Sequence, residues 1–187
     1  MSRAETALGS ISASDFAVWG LGAVNSNLKR AMLAEYLVAR ALECCSEYHE
    51  QWDDFDVRYG RFKVEVKSSG YLTPPFPTVH SNPNPRFDIA KRTEFWSESG
   101  GRRVAYDVPK RPADAYVFCY HKAQTAVDYH PFDLGQWSFL AASTALIDTT
   151  FEGQKSASWS SLQSVAVECE FPGLRNALDR VLQGVQI

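Results

Sequence analysis

The fold is decided by residues 52–69, which read Trp52-Asp53-Asp54-Phe55-Asp56-Val57-Arg58-Tyr59-Gly60-Arg61-Phe62-Lys63-Val64-Glu65-Val66-Lys67-Ser68-Ser69. The pattern predicts two strands, at about 54–59 and 61–69, joined by a tight turn. Side chains alternate between the two faces of a strand, so Glu65 and Lys67 point the same way. A carboxylate and an ammonium in this relation, opposite further carboxylates, can hold a divalent metal ion with a water beside it.

The pairing of the two strands decides which aspartate lies nearest to Glu65. If Tyr59 and Gly60 form a two-residue turn, Asp54 faces Glu65 directly, whereas a longer turn moves Asp56 closer to Glu65. Both aspartates lie on the face of Glu65 and Lys67, so the sequence leaves these alternatives open.

Size and composition predict one globular domain, 1–187, in which residues 1–24 form an N-terminal arm or short helix. The chain has 187 residues, 45% of them hydrophobic, which suffices for a sizeable core and argues against disorder. No apolar run reaches the roughly 18–20 residues that cross a bilayer, and the N-terminus lacks the features of a signal peptide. We therefore expect a cytoplasmic protein with no membrane partner. The spacing of the four cysteines does not suggest a zinc site.

Positive charge is concentrated in the middle of the chain. Residues 57–111 carry 11 Lys/Arg and 5 Asp/Glu, a net charge of +6, although the whole chain has a net charge of −3. A basic region beside a carboxylate cluster suits a phosphodiester substrate, while a solvated charged loop is the alternative interpretation. The candidate nucleic-acid contacts are Arg58, Arg61, Lys63, Ser69, Lys91, Arg92, Arg102 and Arg103.

The remaining pattern predicts an α/β fold with a mixed central sheet flanked by helices. A helix over 28–45 carries Glu35 inside its apolar stripe, where a carboxylate is costly unless something pairs with it. Six of the nine prolines lie between residues 70 and 111, so the segment 70–112 is predicted to be mostly loop. Further elements are predicted as a possible strand at 87–90, strands at 115–120 and 136–141, a short helix or strand at 160–167, and a helix at 173–185.

Four blocks of sequence resemble a small bacterial branch of the PD-(D/E)xK nuclease superfamily. The core pattern is a helix glutamate, Glu35, a hairpin aspartate, Asp56, and then Glu65-Val66-Lys67. The wider likeness covers roughly residues 25–165 and is carried by the segments 28–38, 64–72, 111–118 and 133–139. The chain departs from the family after the motif, where Thr73-Pro74-Pro75-Phe76 stands in place of a glutamine–aromatic pair.

The resemblance implies a restriction endonuclease-like core and Mg²⁺-dependent hydrolysis of DNA, with Mn²⁺ as a substitute. It implies that Asp56, Glu65 and Glu35 bind the metal, that the Val66 main chain lies beside it, and that Lys67 positions or activates the water. The family places the aspartate just before an apolar strand residue, which favours Asp56 and leaves Asp54 as the reserve.

The resemblance also bears on biology and partners. It implies an endonuclease that acts in phage defence or DNA repair. A homodimer is one expected form of such an enzyme. The resemblance identifies no other protein partner. The alternatives are a nuclease for RNA or branched DNA, and a non-catalytic protein of the same fold that binds nucleic acid or protein.

Overall fold

The computed structural model describes residues 12–24, 26–45, 54–73, 80–97 and 102–185. The helices are α1 (Ala13–Leu21), α2 (Asn27–Ala41), α3 (Thr144–Thr150), α4 (Trp159–Gln163) and α5 (Leu174–Leu182), with 3₁₀ turns at Leu134–Gln136 and Phe171–Gly173. The strands are β1 (Val57–Tyr59), β2 (Phe62–Gly70), β3 (Leu72–Thr73), β4 (His80–Ser81), β5 (Arg86–Asp88), β6 (Arg92–Ser97), β7 (Arg102–Lys110), β8 (Ala115–His121), β9 (Trp137–Ser143), β10 (Ser156–Ser158) and β11 (Val167–Cys169).

A five-stranded mixed sheet forms the centre, in the order β1-β2-β8-β9-β11. Strands β2 and β8 run parallel, and the other neighbours in this sheet are antiparallel. The three remaining strand pairs, β3–β4, β5–β10 and β6–β7, are two-stranded and antiparallel. The predicted α/β class with a mixed sheet and helices is therefore confirmed.

Alternation along the central strands gives the sheet two apolar faces. On one face, Val64 and Val66 of β2 pack with α2 and α5. On the other face, Tyr116 and Phe118 of β8 pack with residues of α3, α4, β5 and β10. Glu65 pairs in register with Tyr116, so this alternation places Glu65 on the second face, within a buried sheet.

Helix α2 begins where the sequence predicts and ends earlier. The Ser26 hydroxyl accepts a hydrogen bond from the Lys29 N–H at 3.3 Å and caps the helix. The prediction that the helix runs to residue 45 is wrong. Glu43 adopts φ 56°, and the N–H of Cys44 bonds to the Ala39 carbonyl at 3.0 Å, which is a Schellman ending.

The hairpin turn is neither of the two alternatives that the sequence left open. Tyr59 pairs with Phe62, so the two-residue loop is Gly60–Arg61 and not Tyr59–Gly60. Gly60 has φ +58°, a conformation that suits the first residue of such a loop and that other residues rarely adopt. The shift by one residue moves Asp56 toward Glu65.

The prediction that 70–112 is mostly loop is wrong. Besides the short strands β3, β4 and β5, the segment forms a long two-stranded ribbon, β6–β7, with an irregularity between Arg92 and Glu94. The ribbon is largely exposed, and β7 includes Pro109. A proline is tolerated in a strand that has an open edge, because no ladder donor is needed there.

Helix α1 occupies part of the predicted N-terminal arm, and none of its residues is buried. Residues 1–11 of that arm lie outside the described part of the chain. Within the described ranges, no helix is both long enough and apolar enough to cross a membrane.

We predict that Gly70→Ala destabilises the fold by about 1–3 kcal/mol, the usual cost of crowding a packed site. The added Cβ would lie 3.1 Å from Nη1 of Arg30 and 3.2 Å from the carbonyl of Leu72. The Arg30 guanidinium is buried and donates to that carbonyl and to Asn27 Oδ1, so it has little room to move. Urea unfolding measures the change.

The matched control is Gly184→Ala, whose Cβ meets no atom within 4 Å. It should change the free energy of unfolding by no more than about 0.5 kcal/mol. Equal effects of the two substitutions would contradict the account of Gly70.

Candidate functional site

Four charged residues from α2 and the β1–β2 hairpin region interact electrostatically. Asp56 directly precedes β1, Glu65 and Lys67 lie two residues apart on β2, and Glu35 lies on α2. Asp56, Glu65 and Lys67 each act electrostatically on Glu35, Asp56 is also influenced by Glu65 and Lys67, and Lys67 pairs directly with Glu65. These are the residues that the resemblance implies are catalytic.

Asp56 is held by the main chain of β2. Strand β1 pairs with β2 only from Phe62 to Val64. Beyond that point the Val66 N–H donates to Asp56 Oδ2 at 2.7 Å, and the Asp56 N–H donates to the Val64 carbonyl at 3.1 Å. The carboxylate therefore satisfies a backbone donor at the end of the β1–β2 ladder, and this contact fixes its position.

Glu65 is the most buried member of the cluster and carries two positive partners. Its side chain is 3% exposed, and its Oε1 accepts from Lys67 Nζ at 2.6 Å and from Arg92 Nη2 at 2.6 Å. The other oxygen, Oε2, is buried and has no hydrogen-bond partner in the structure. Buried carboxylate oxygens are normally satisfied, so Oε2 has the capacity for one more partner, such as a water or a hard cation.

Burial, together with neighbouring negative charge, raises the pKa of two acids of the cluster, Glu35 and Asp56. The pKa of Glu35 is raised to about 7, first by burial and then by the charges of Asp56 and Glu65, while the charge of Lys67 opposes the rise. Burial and the charge of Glu65 also raise the pKa of Asp56, against the hydrogen bond from Val66 and the charges of Lys67 and Arg92. Such shifts are typical of acidic groups gathered at functional sites, and also occur in structural ion-pair networks.

The side chains of the cluster are not arranged as a metal site, although their oxygen donors are of the type that a hard divalent cation takes. In the part of the chain that the structure describes, no group of three or more His, Cys, Asp or Glu side chains is placed to hold an ion. The ammonium of Lys67 and the guanidinium of Arg92 occupy Oε1 of Glu65. Carboxylate oxygens and the unpartnered Oε2 are nevertheless the ligand type that Mg²⁺ takes. An ion would therefore exchange with these side-chain cations.

Asp54, the reserve ligand, lies elsewhere on the hairpin. Its Oδ1 accepts from Lys63 Nζ at 2.8 Å and its Oδ2 accepts from the Tyr106 hydroxyl at 3.2 Å. Asp54 would face Glu65 only with a Tyr59–Gly60 turn, which the structure does not form. Asp56 is the aspartate beside Glu65.

The predicted nucleic-acid contacts separate into three groups. Arg58, Arg61, Lys91 and Arg102 are exposed, as is Arg103, which pairs with Glu94 at 2.7 Å. Lys63 and Arg92 are engaged by Asp54 and Glu65. Ser69 is only 8% exposed, which disfavours the predicted contact with nucleic acid.

Two contacts of the site escaped sequence reasoning. Arg92 was expected to bind phosphate, whereas here it pairs with a carboxylate 27 residues away in sequence. Tyr106, which bonds Asp54, was not singled out at all. The available signal was the Gly100-Gly101 pair between two runs rich in aromatic and β-branched residues, which favours a hairpin.

No protein-family model, curated protein or solved structure matches this chain. The family assignment therefore stays a prediction.

We predict that stability falls as the pH rises from about 4.5 to 7. The pKa of Glu35 rises from 4.5 to about 7 on folding, so the folded protein keeps a proton that the unfolded chain releases in this window. Glu35→Gln removes this dependence. At pH 8, in EDTA, the variant should be more stable by on the order of 1–2 kcal/mol, a value discounted for solvent screening.

Urea unfolding at pH 4.5, 6 and 8 measures the effect, with Glu152→Gln as the control because it removes an exposed glutamate charge. If the free energy of unfolding differs between Glu35→Gln and the native chain by the same amount at all three pH values, the charge of Glu35 does not destabilise the fold.

Proposed function

We propose that this protein is a Mg²⁺-dependent endodeoxyribonuclease with a restriction endonuclease-like core. One observation carries the proposal. Asp56, Glu65 and Glu35 interact electrostatically, Lys67 lies among them, and the buried Oε2 of Glu65 accepts no hydrogen bond. A cluster of acids with an orphaned oxygen stabilises a divalent cation, and a lysine beside it suits an anionic reaction centre.

Each residue has a part that follows from its position. Asp56 and Glu65 would ligate the ion, with Glu35 assisting from α2 and the Val66 main chain fixing the direction of Asp56. A bound Mg²⁺ or Mn²⁺ polarises a phosphate oxygen and makes a coordinated water more acidic. Lys67, which is 26% exposed, can donate to the scissile phosphate or stabilise the hydroxide.

The choice of a nucleic-acid substrate rests on the charged elements around the cluster. Arg58 and Arg61 are exposed on the β1–β2 hairpin, while Arg102, Arg103 and Lys110 are exposed on the β6–β7 ribbon. Exposed cations on the two elements that supply Asp56, Glu65 and Arg92 suit binding of a phosphodiester backbone. A two-stranded ribbon also has dimensions that fit the major groove of duplex DNA.

A specific observation favours a second candidate, a non-catalytic binding protein of the same fold. Glu65 Oε1 is already neutralised by Lys67 and Arg92, and buried ion pairs of this kind also serve structure alone. In that case the exposed arginines would hold nucleic acid or a protein partner without cutting. The two candidates differ in their response to metal ions.

We predict that plasmid DNA is nicked or cut with Mg²⁺ or Mn²⁺ and left intact with EDTA. Glu65→Gln, Lys67→Ala and Asp56→Asn should each lower the rate by at least about 100-fold, because each removes either a ligand of the ion or the amine that acts on the phosphate. Asp54→Asn should keep most of the activity, since Asp54 contacts Lys63 and Tyr106 instead. Gel assays on supercoiled, linear and single-stranded DNA, and on RNA, measure the rates.

Lys155→Ala is the matched control for Lys67→Ala, because it removes an exposed lysine outside the cluster. Circular dichroism and urea unfolding separate lost chemistry from lost folding. Metal-independent binding of DNA with no cleavage by the native chain would favour the non-catalytic candidate. If the folded variants Glu65→Gln and Lys67→Ala still cleave DNA, this cluster is not the catalytic site.

A further inference from the structure

Glu65 is buried, whereas both of its cationic partners reach solvent. The side chains of Lys67 and Arg92 are 26% and 37% exposed, against 3% for Glu65. An anion arriving from solvent can therefore contact the cations but not the carboxylate. Competition for Arg92 or Lys67 is the direct way in which a substrate phosphate can act on Glu65.

The two cations are attached to different elements. Lys67 lies two residues from Glu65 on the same strand, so its backbone is fixed relative to the carboxylate. Arg92 is the first residue of the β6–β7 ribbon, next to an irregularity in the strand pairing. Its side chain can leave Glu65 without any change in the central sheet.

The ribbon itself is an exposed arm rich in arginine and lysine, and two of its side chains bond carboxylates of the β1–β2 hairpin region. Arg92 bonds Glu65 and Tyr106 bonds Asp54. Arg102, Arg103 and Lys110 are exposed along the same ribbon. A phosphodiester backbone that lies on these cations would pass beside Arg92.

We propose that Arg92 is a positioning residue that the substrate displaces: a backbone phosphate takes its guanidinium, and Glu65 Oε1 becomes available to a divalent cation. The inference rests on the proposed nuclease function. A guanidinium suits this exchange because its donors match a phosphate as well as a carboxylate. Without substrate, Arg92 keeps the buried charge of Glu65 paired.

The energetics make the exchange conditional on both ligands. Burial works against the charge of Arg92, but the charge and hydrogen bond of Glu65 outweigh it and raise the Arg92 pKa. Removing one partner of a buried pair leaves an uncompensated charge, which is strongly unfavourable. The incoming cation compensates Glu65 and the phosphate compensates Arg92. Metal and substrate therefore bind with positive and reciprocal coupling.

The test measures binding of Mn²⁺ alone by electron paramagnetic resonance, without DNA. Arg92→Ala should bind Mn²⁺ about five- to tenfold more tightly than the native chain, a coupling of ordinary size. Glu65→Gln should lose the site. Arg180→Ala, which removes an exposed arginine in the last turn of α5, should match the native affinity. In EDTA, Arg92→Ala should bind a short DNA duplex more weakly than Arg180→Ala.

Arg92→Lys keeps the positive charge but loses the planar, multi-donor guanidinium. Its affinity for Mn²⁺ should lie between that of the native chain and that of Arg92→Ala. If Arg92→Ala does not fold, Arg92→Lys takes its place in the test. If the Arg92 variants bind Mn²⁺ no more tightly than the native chain while Glu65→Gln loses it, the role of Arg92 is overturned and the nuclease proposal stands. If neither the native chain nor any variant binds Mn²⁺ or cuts DNA, both proposals fall.

Discussion

A buried carboxylate needs a positive side chain or a metal ion beside it, and the structure around Glu65 is organised to meet this need. The residue sits in the middle of β2, pairs in register with β8, and is almost fully removed from solvent. An unpaired charge in such a place costs several kcal/mol. Lys67 from the same strand and Arg92 from the β6–β7 ribbon meet this need in the structure. The ribbon is thus joined electrostatically to the central sheet.

The second constraint is the shortness of β1. Because β1 pairs with β2 only as far as Val64, the Val66 N–H bonds to the Asp56 carboxylate. A structural requirement of the sheet edge thereby brings a second acid to Glu65, and α2 brings Glu35. The same contacts that complete the hydrogen bonding of the hairpin also bring acidic groups within electrostatic range of one another.

Sequence reasoning succeeded where periodicity is strong and local. Strand β8 is a run of buried residues, Ala115–His121, and was predicted to within one residue at its end. The ribbon was missed because prolines and charges obscured the alternation, and Pro109 is tolerated in its exposed strand. The hairpin register depended on which residue takes positive φ, and Gly60 does. The bond between Arg92 and Glu65 joins distant segments, so no local pattern could predict it.

The central claim is that Asp56 and Glu65 form a cation site that exchanges side-chain cations for a metal ion. A crystal structure of the native protein with Mn²⁺ and a DNA duplex, with diffraction recorded at the manganese absorption edge, tests it most directly. The account predicts an anomalous peak within coordination distance of both carboxylates, with the Arg92 guanidinium on a phosphate. It is contradicted if Mn²⁺ supports cleavage in the same solution while the peak lies elsewhere and Arg92 and Lys67 still bind Glu65.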